Sequence, residues 1–171
     1  MQFEVSDDEK KAAKLPHDLF LINLIANHIL IFVSTLGFAT SWIWPVMSVP
    51  VISVSILSFS IWRGIRSRKI DPWYVKCHWQ IGLRRSLIFI SMLGLLATIS
   101  LLGFLGHTYG GMMKEAVYAI IGGVGLLPTM VTILILIILE SDALHGANNG
   151  KLPKWVVERY PNPDAVVLSE E

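Results

Sequence analysis

Three long stretches of the chain contain no charged residue, and they decide which elements the sequence predicts. Between Asp18 and Arg63 lie 44 residues without Asp, Glu, Lys or Arg, and stretches of 28 and 24 such residues follow Arg85 and Glu115. About 20 helical residues cross a hydrocarbon core of roughly 30 Å. The first stretch would measure about 66 Å as a single helix, so it must contain two spans.

The break inside the first stretch is indicated by Trp42-Ile43-Trp44-Pro45, because tryptophan favours the membrane interface and proline the first turn of a helix. The predicted spans are residues 19–42, 45–63, 85–106 and 116–139. Uncharged runs of this length do not alternate as the strands of a membrane barrel do. The pattern therefore predicts an all-α integral membrane four-helix bundle with short external turns.

Basic residues predict the orientation of this bundle. From Arg63 to Arg85 the chain carries seven Lys or Arg residues and one acid, Asp71. Basic residues in short loops stay on the cytoplasmic side, so the protein is predicted to be N-in and C-in, in a bacterial inner membrane. The predicted divisions are a cytoplasmic N-terminal segment (1–18), a transmembrane hairpin (19–63), a basic cytoplasmic loop (64–84), a second hairpin (85–139) and a cytoplasmic tail (140–171).

Composition excludes several classes of protein. The net charge of +1 gives no reason to expect a nucleic-acid partner. A single cysteine, Cys77, excludes an internal disulfide and any CxxC motif. Each segment outside the spans is too short to bury a core of its own, so no soluble catalytic domain is expected.

Two segments outside the spans carry signals for the start of a helix. Ser6 and Glu9 form a capping-box pattern, which predicts a short helix from Asp7 to about Lys14 that stops before Pro16. The dipeptide Asp71-Pro72 indicates that the third helix starts there rather than at Arg85.

The start of this third helix mixes aromatic and cationic side chains. One interpretation is an interfacial aromatic belt with snorkelling arginines. The other is a docking face for a protein partner or for anionic lipid headgroups. The docking candidates are Arg63, Arg66, Arg68, Lys69, Trp73, Trp79, Arg84 and Arg85.

A stripe of polar residues lies within the first span. On an α-helix Asn23, Asn27 and Ser34 share one face, and His28 lies about 100° around from Asn27. Such residues most often form hydrogen bonds between helices. The alternative is a small transporter or channel whose path is lined by this stripe.

His28 is the one titratable residue deep inside a predicted span. Haem b ligation would need a second ligand on a facing helix, and the other histidines lie at span ends or beyond. Met130 in the fourth span is a conceivable partner for a His/Met pair. The preferred interpretation has no cofactor, with His28 hydrogen-bonded to a neighbouring helix.

Polar residues also gather where the spans meet the cytoplasmic boundary. Glu140 lies there, together with residue types that bind zinc or other transition metals. The candidate metal ligands are His17, Cys77, His78, Asp142 and His145. Helix ends collect such residues for capping and solvation as well, so ordinary boundary residues are the other interpretation.

These observations predict a non-enzymatic accessory or scaffold subunit of the inner membrane. Nearly all its specific polarity faces the cytoplasm, whereas the spans carry packing residues. Its expected docking surfaces are the basic segment Arg63–Arg85 and the tail, residues 151–171. Its expected partners are membrane lipids and another membrane protein or further copies of itself. The alternatives are a haem-binding electron-transfer protein that uses His28 and a small transporter or channel.

Overall fold

The computed structural model describes residues 1–36 and 44–169. Within them, four helical stretches are long and apolar enough to cross a membrane: Asp7–Thr35, Trp44–Ile70, Trp73–Gly110 and Lys114–Asn148. The predicted all-helical architecture with four helices of spanning length and composition is therefore confirmed. Of the predicted break at Trp42–Pro45, the first two residues lie outside the described residues, and a helix begins at Trp44.

The first and last stretches each contain a π-helical segment. The elements are β1 (Gln2–Phe3), α1 (Asp7–Leu21), π1 (Ile22–Ile31), α2 (Phe32–Leu36), α3 (Trp44–Ile70), α4 (Trp73–Gly110), α5 (Lys114–Ile120), π2 (Ile121–Leu126), α6 (Leu127–Asn148), α7 (Lys154–Arg159) and β2 (Val167–Ser169). The chain forms two compact units, one of Leu87–Leu136 and one of Met1–Ser86 with the described residues from Ile137 onward.

Helix α1 begins at the predicted capping box. Ser6 Oγ accepts a hydrogen bond from the backbone N–H of Glu9, and the Glu9 carboxylate accepts one from the Ser6 N–H. The prediction that this helix stops before Pro16 is wrong, because α1 continues through it to Leu21. Proline removes one backbone hydrogen bond. Pro16 is nevertheless buried against Gly82 of α4, where an added Cβ would lie 3.1 Å from the Cβ of Pro16.

Residues 64–84, predicted as a basic loop, are helical on both sides of a short turn at Asp71 and Pro72. Arginine and lysine are good helix formers, so their clustering marks the end of the apolar run and not the end of the helix. Arg63 closes the turn by donating two hydrogen bonds to the Asp71 carboxylate, at 2.7 and 2.9 Å. Helix α4 begins at Trp73, as the Asp71-Pro72 signal predicts, and its 38 residues measure about 57 Å.

In the unit Leu87–Leu136, close packing occurs at Gly125 in π2. A Cβ added at Gly125 would lie 2.8 Å from Cδ1 of Leu96 on α4, whereas nothing lies within 4 Å of the corresponding positions at Gly122 and Gly123. Of these three glycines, Gly125 is the one that the helix contact requires.

Both ends of the chain fold onto α4 and α6 to form a small domain that we call the terminal cap (residues 1–6 and 149–169). Strand β1 pairs antiparallel with β2, and Gln2 also forms a bridge with Lys151. The segments are individually short, as predicted, but they bury a common apolar core. Its members are Phe3, Ala13, Tyr74, Cys77, Ile81, Ala143, Ala147, Leu152 and Val156.

We expect replacement of Gly150 by alanine to destabilise the terminal cap. Gly150 has a φ of +70°, and an added Cβ would lie 2.7 Å from the carbonyl oxygen of Phe3. Gly111 has the same φ but no atom within 4 Å of the added Cβ, so it serves as the matched control. Both variants incur the left-handed penalty of roughly 1–2 kcal/mol, and Gly150→Ala adds a steric clash. Equal shifts in thermal denaturation midpoint for the two variants would contradict this expectation.

Candidate functional site

Three buried side chains from three helices form a continuous hydrogen-bonded chain in the unit that contains both termini. Nδ1 of His17 lies 2.5 Å from Oε2 of Glu140, and Nε2 of His17 lies 2.9 Å from Nδ1 of His78. His17, His78 and Glu140 each have an exposed fraction of zero. We call these three residues, together with Arg85, the histidine network.

Arg85 supplies the positive charge of the histidine network. Its Nη1 lies 3.3 Å from Oε1 of Glu140 and donates a 2.9 Å hydrogen bond to the backbone carbonyl of Leu139. The Glu140 carboxylate therefore lies between a guanidinium group and an imidazole. A buried carboxylate is costly unless it is paired and hydrogen-bonded. Here Oε2 is bonded to His17 and the charge is paired with Arg85, whereas Oε1 makes no hydrogen bond within the described residues.

The network forms where predicted helix boundaries meet. His17 follows Pro16, which is packed on α4, and Glu140 is the first charged residue after the 24-residue uncharged run. The sequence places His17, His78 and Glu140 at one predicted boundary, and the structure adds the bonds between them. Arg85 is predicted to lie on a docking face, whereas the structure places it against Glu140.

The candidate metal ligands do not come together as a set. His17 and His78 are bonded to each other, and Cys77 is buried in the apolar core of the terminal cap. Asp142 and His145 are both exposed. A helix turns by about 200° between Glu140 and Asp142, which places Asp142 on the face away from the buried carboxylate. In the part of the chain that the structure describes, no three His, Cys, Asp or Glu residues are placed to hold a metal ion.

The polar stripe of the first span is bonded to α3 and to itself. Asn23 donates to Ser53 Oγ at 3.2 Å, and Asn27 donates to the Val49 carbonyl at 2.9 Å and to Oδ1 of Asn23 at 3.2 Å. Nε2 of His28 lies 2.8 Å from the same Ser53 Oγ. All three side chains are buried.

The π-helical geometry explains why His28 joins a face that α-helical spacing assigns to Asn23 and Asn27. A π-helix forms its backbone hydrogen bonds between residues five apart, so Asn23 and His28 point in similar directions. Both reach Ser53 for this reason. Ser34 lies beyond π1 in α2 and is exposed, so it does not continue the buried stripe.

One ring nitrogen of His28, Nε2, is engaged by the contact with Ser53. Met130, the conceivable second ligand, is a half-buried residue of α6. The haem alternative stays a prediction from sequence.

Most of the predicted docking residues contact other parts of the same chain. Arg63 binds Asp71 and its guanidinium lies 4.9 Å from the ring of Trp79, which is 1% exposed. Burial raises the pKa of Asp71, but the hydrogen bonds and charge of Arg63 outweigh this effect and hold the pKa below its usual value. Trp73 donates a 2.6 Å hydrogen bond to the carbonyl of Tyr160. Trp79 is therefore buried and Trp73 half-buried, and both make contacts within the chain.

The remaining cations are more accessible. Arg68 donates to Gln80 at 2.8 Å, Arg66 lies over the ring of Trp62 and Arg84 over that of Trp155. The exposed members of the predicted docking set are Arg66, Arg68, Lys69 and Arg84.

No protein-family model, curated protein or solved structure matches this chain.

Proposed function

We propose that this protein is a non-enzymatic accessory subunit of a bacterial inner membrane, which associates with another membrane protein through its terminal cap. The observation that carries the proposal is the cap itself, a folded surface built from both chain ends and attached to two helices of spanning length. The histidine and glutamate side chains of the candidate site are completely buried and bonded to one another, which favours a structural role over catalysis.

The outer strand of the cap is the proposed contact with the partner. Strand β1 is paired with β2 on one side and bridged to Lys151 on the other, so β2 is the outer strand. Val167 and Leu168 in this strand are 44% and 58% exposed. An exposed strand edge with apolar side chains is a common site for the addition of a strand from another protein.

Lipid contact is proposed for the basic side chains. Arg66, Lys69 and Arg84 remain exposed near the ends of α3 and the start of α4. Cations beside a membrane span attract anionic headgroups by about 1 kcal/mol each. An N-in and C-in orientation, which the distribution of Lys and Arg favours, would bring these cations and the terminal cap to the cytoplasmic face.

Site-specific photocrosslinking in living cells tests the protein contact. A photoreactive amino acid at Leu168 is expected to give one defined adduct, with a membrane protein or with a second copy of this chain. The same residue at Tyr109, which is 82% exposed in the other unit, is the control and should not give that adduct. Leu168→Lys should abolish co-purification of the partner in mild detergent. A lone monomer without adducts at Leu168 would refute the proposal.

The two alternative functions have less support from the contacts of the described residues. The stripe of Asn23, Asn27 and His28 is hydrogen-bonded to α3. Such contacts are typical of residues that pack helices together, and they do not favour a transport path. A purified sample without a Soret band would remove the haem alternative.

A further inference from the structure

The hydrogen bond between His17 and His78 has room for one hydrogen atom only. Their facing nitrogens, Nε2 of His17 and Nδ1 of His78, are 2.9 Å apart, so one of them must donate and the other must accept. An imidazole accepts only when that nitrogen carries no hydrogen. The bond is therefore incompatible with a state in which both rings are protonated.

Several charged or titratable groups face this pair. Glu140 from α6 is bonded to Nδ1 of His17, and Arg85 from α4 lies beside Glu140. The ring of Tyr74 meets that of His78 edge-on at 4.8 Å, and Cys77 is its neighbour in the chain. Nε2 of His78 is buried beside the backbone of Lys151 and makes no hydrogen bond of regular geometry within the described residues.

These surroundings tolerate one additional proton but not two. A protonated His17 would donate from Nδ1 to Glu140 and from Nε2 to His78, so every existing bond would be kept. A second proton on His78 would place two N–H groups against each other. It would also put a further positive charge near Arg85 in a completely buried site.

We propose that the His17–His78 bond is an acid-sensitive latch, which fixes α1 to the start of α4 beneath the terminal cap and opens when both imidazoles are protonated. The latch lies beside residues that form the core of the terminal cap. Cys77 and Tyr74, within one turn of His78, belong to the apolar core of the cap, and so does Ala13, one turn before His17. Opening of the latch therefore exposes this core.

The reactivity of Cys77 reports the opening, because Cys77 is the sole cysteine and its exposed fraction is zero. The purified full-length protein in mild detergent is treated with a dipyridyl disulfide at about pH 7.5 and about pH 5, on either side of the usual histidine pKa near 6.5. The thiolate fraction of a free thiol falls about 300-fold between these two pH values, so each rate is divided by the rate of a small model thiol at the same pH. We expect this normalised rate of Cys77 modification to be about tenfold higher at the lower pH.

His78→Gln tests the assignment, because a glutamine amide can fill the site but gains no proton in this pH range. The normalised rate of Cys77 modification in this variant is expected to be nearly the same at both pH values. His145→Gln, at an exposed histidine of α6 bonded to Asn149, should keep the acid response of the unmodified protein. If His78→Gln does not fold, His17→Gln must lose the response instead.

Two results would overturn the latch. One is protection of Cys77 that is equal at both pH values in the unmodified protein. The other is an acid response that persists in a folded His78→Gln or His17→Gln variant. Loss of the response in His145→Gln would likewise contradict it, because the response would then not arise at the buried pair. Photocrosslinking at Leu168 is a separate measurement, so the latch and the accessory role can fail independently.

Discussion

Replacement of Glu140 by alanine is expected to lower the free energy of unfolding by about 3–5 kcal/mol, the usual cost of removing one partner of a buried ion pair. The carboxylate is completely buried and serves both His17, at 2.5 Å, and Arg85, at 3.3 Å. Its removal leaves the half-buried guanidinium without a counter-ion and the imidazole N–H without an acceptor. Thermal denaturation in mild detergent should show a lower midpoint, by roughly 6–20 °C for a chain of this size.

Asp142→Ala is the matched control for Glu140→Ala. Asp142 lies two residues further along the same helix, carries the same charge and is exposed. Its replacement should change the free energy of unfolding by about 0.5 kcal/mol or less. Glu140→Gln should fall between the two, because the amide oxygen still accepts from His17 but no longer balances Arg85. Similar midpoints for Glu140→Ala and Asp142→Ala would mean that the histidine network does not stabilise the fold.

The spans could be predicted because the free energy of transferring a segment from water into a membrane depends on the composition of that segment alone. A run of 24 uncharged residues before Glu140 needs no knowledge of its neighbours to be assigned to a membrane. The ends of the helices were harder to predict. Arg66 and Lys69 suggested a loop, although they lie in the last turns of α3, because charge ends the apolar run without ending the helix.

The candidate site could be predicted only in part, because it depends on contacts between distant segments. Sequence placed His17, His78 and Glu140 at one boundary, but nothing in their spacing shows that their side chains are bonded. Alpha-helical periodicity places His28 about 100° around from Asn27, whereas the segment is π-helical and brings His28 to the same serine as Asn23. The terminal cap cannot be predicted from its separate segments, because each of them is too short to fold alone.

Trp79→Ala distinguishes the two interpretations of the aromatic and basic segment at the start of α4. If Trp79 packs inside the protein, its removal should cost about 3–5 kcal/mol, as for other buried tryptophans. Its side chain is 1% exposed, and the Arg63 guanidinium lies over its ring at 4.9 Å. Arg63 also holds Asp71, so loss of the ring should loosen the turn between α3 and α4. Thermal denaturation in mild detergent measures the effect.

Trp62→Ala is the control that separates burial from the contact between arginine and tryptophan. Trp62 also lies under a guanidinium, that of Arg66 at 5.5 Å, but it is 55% exposed. Because little surface is buried there, this variant should lose about 1 kcal/mol or less. A docking role predicts the opposite result for Trp79, namely an unchanged midpoint and a weakened association with a partner. Only a large loss of stability at Trp79 with a small one at Trp62 is consistent with a ring that the protein uses to hold its own helices together.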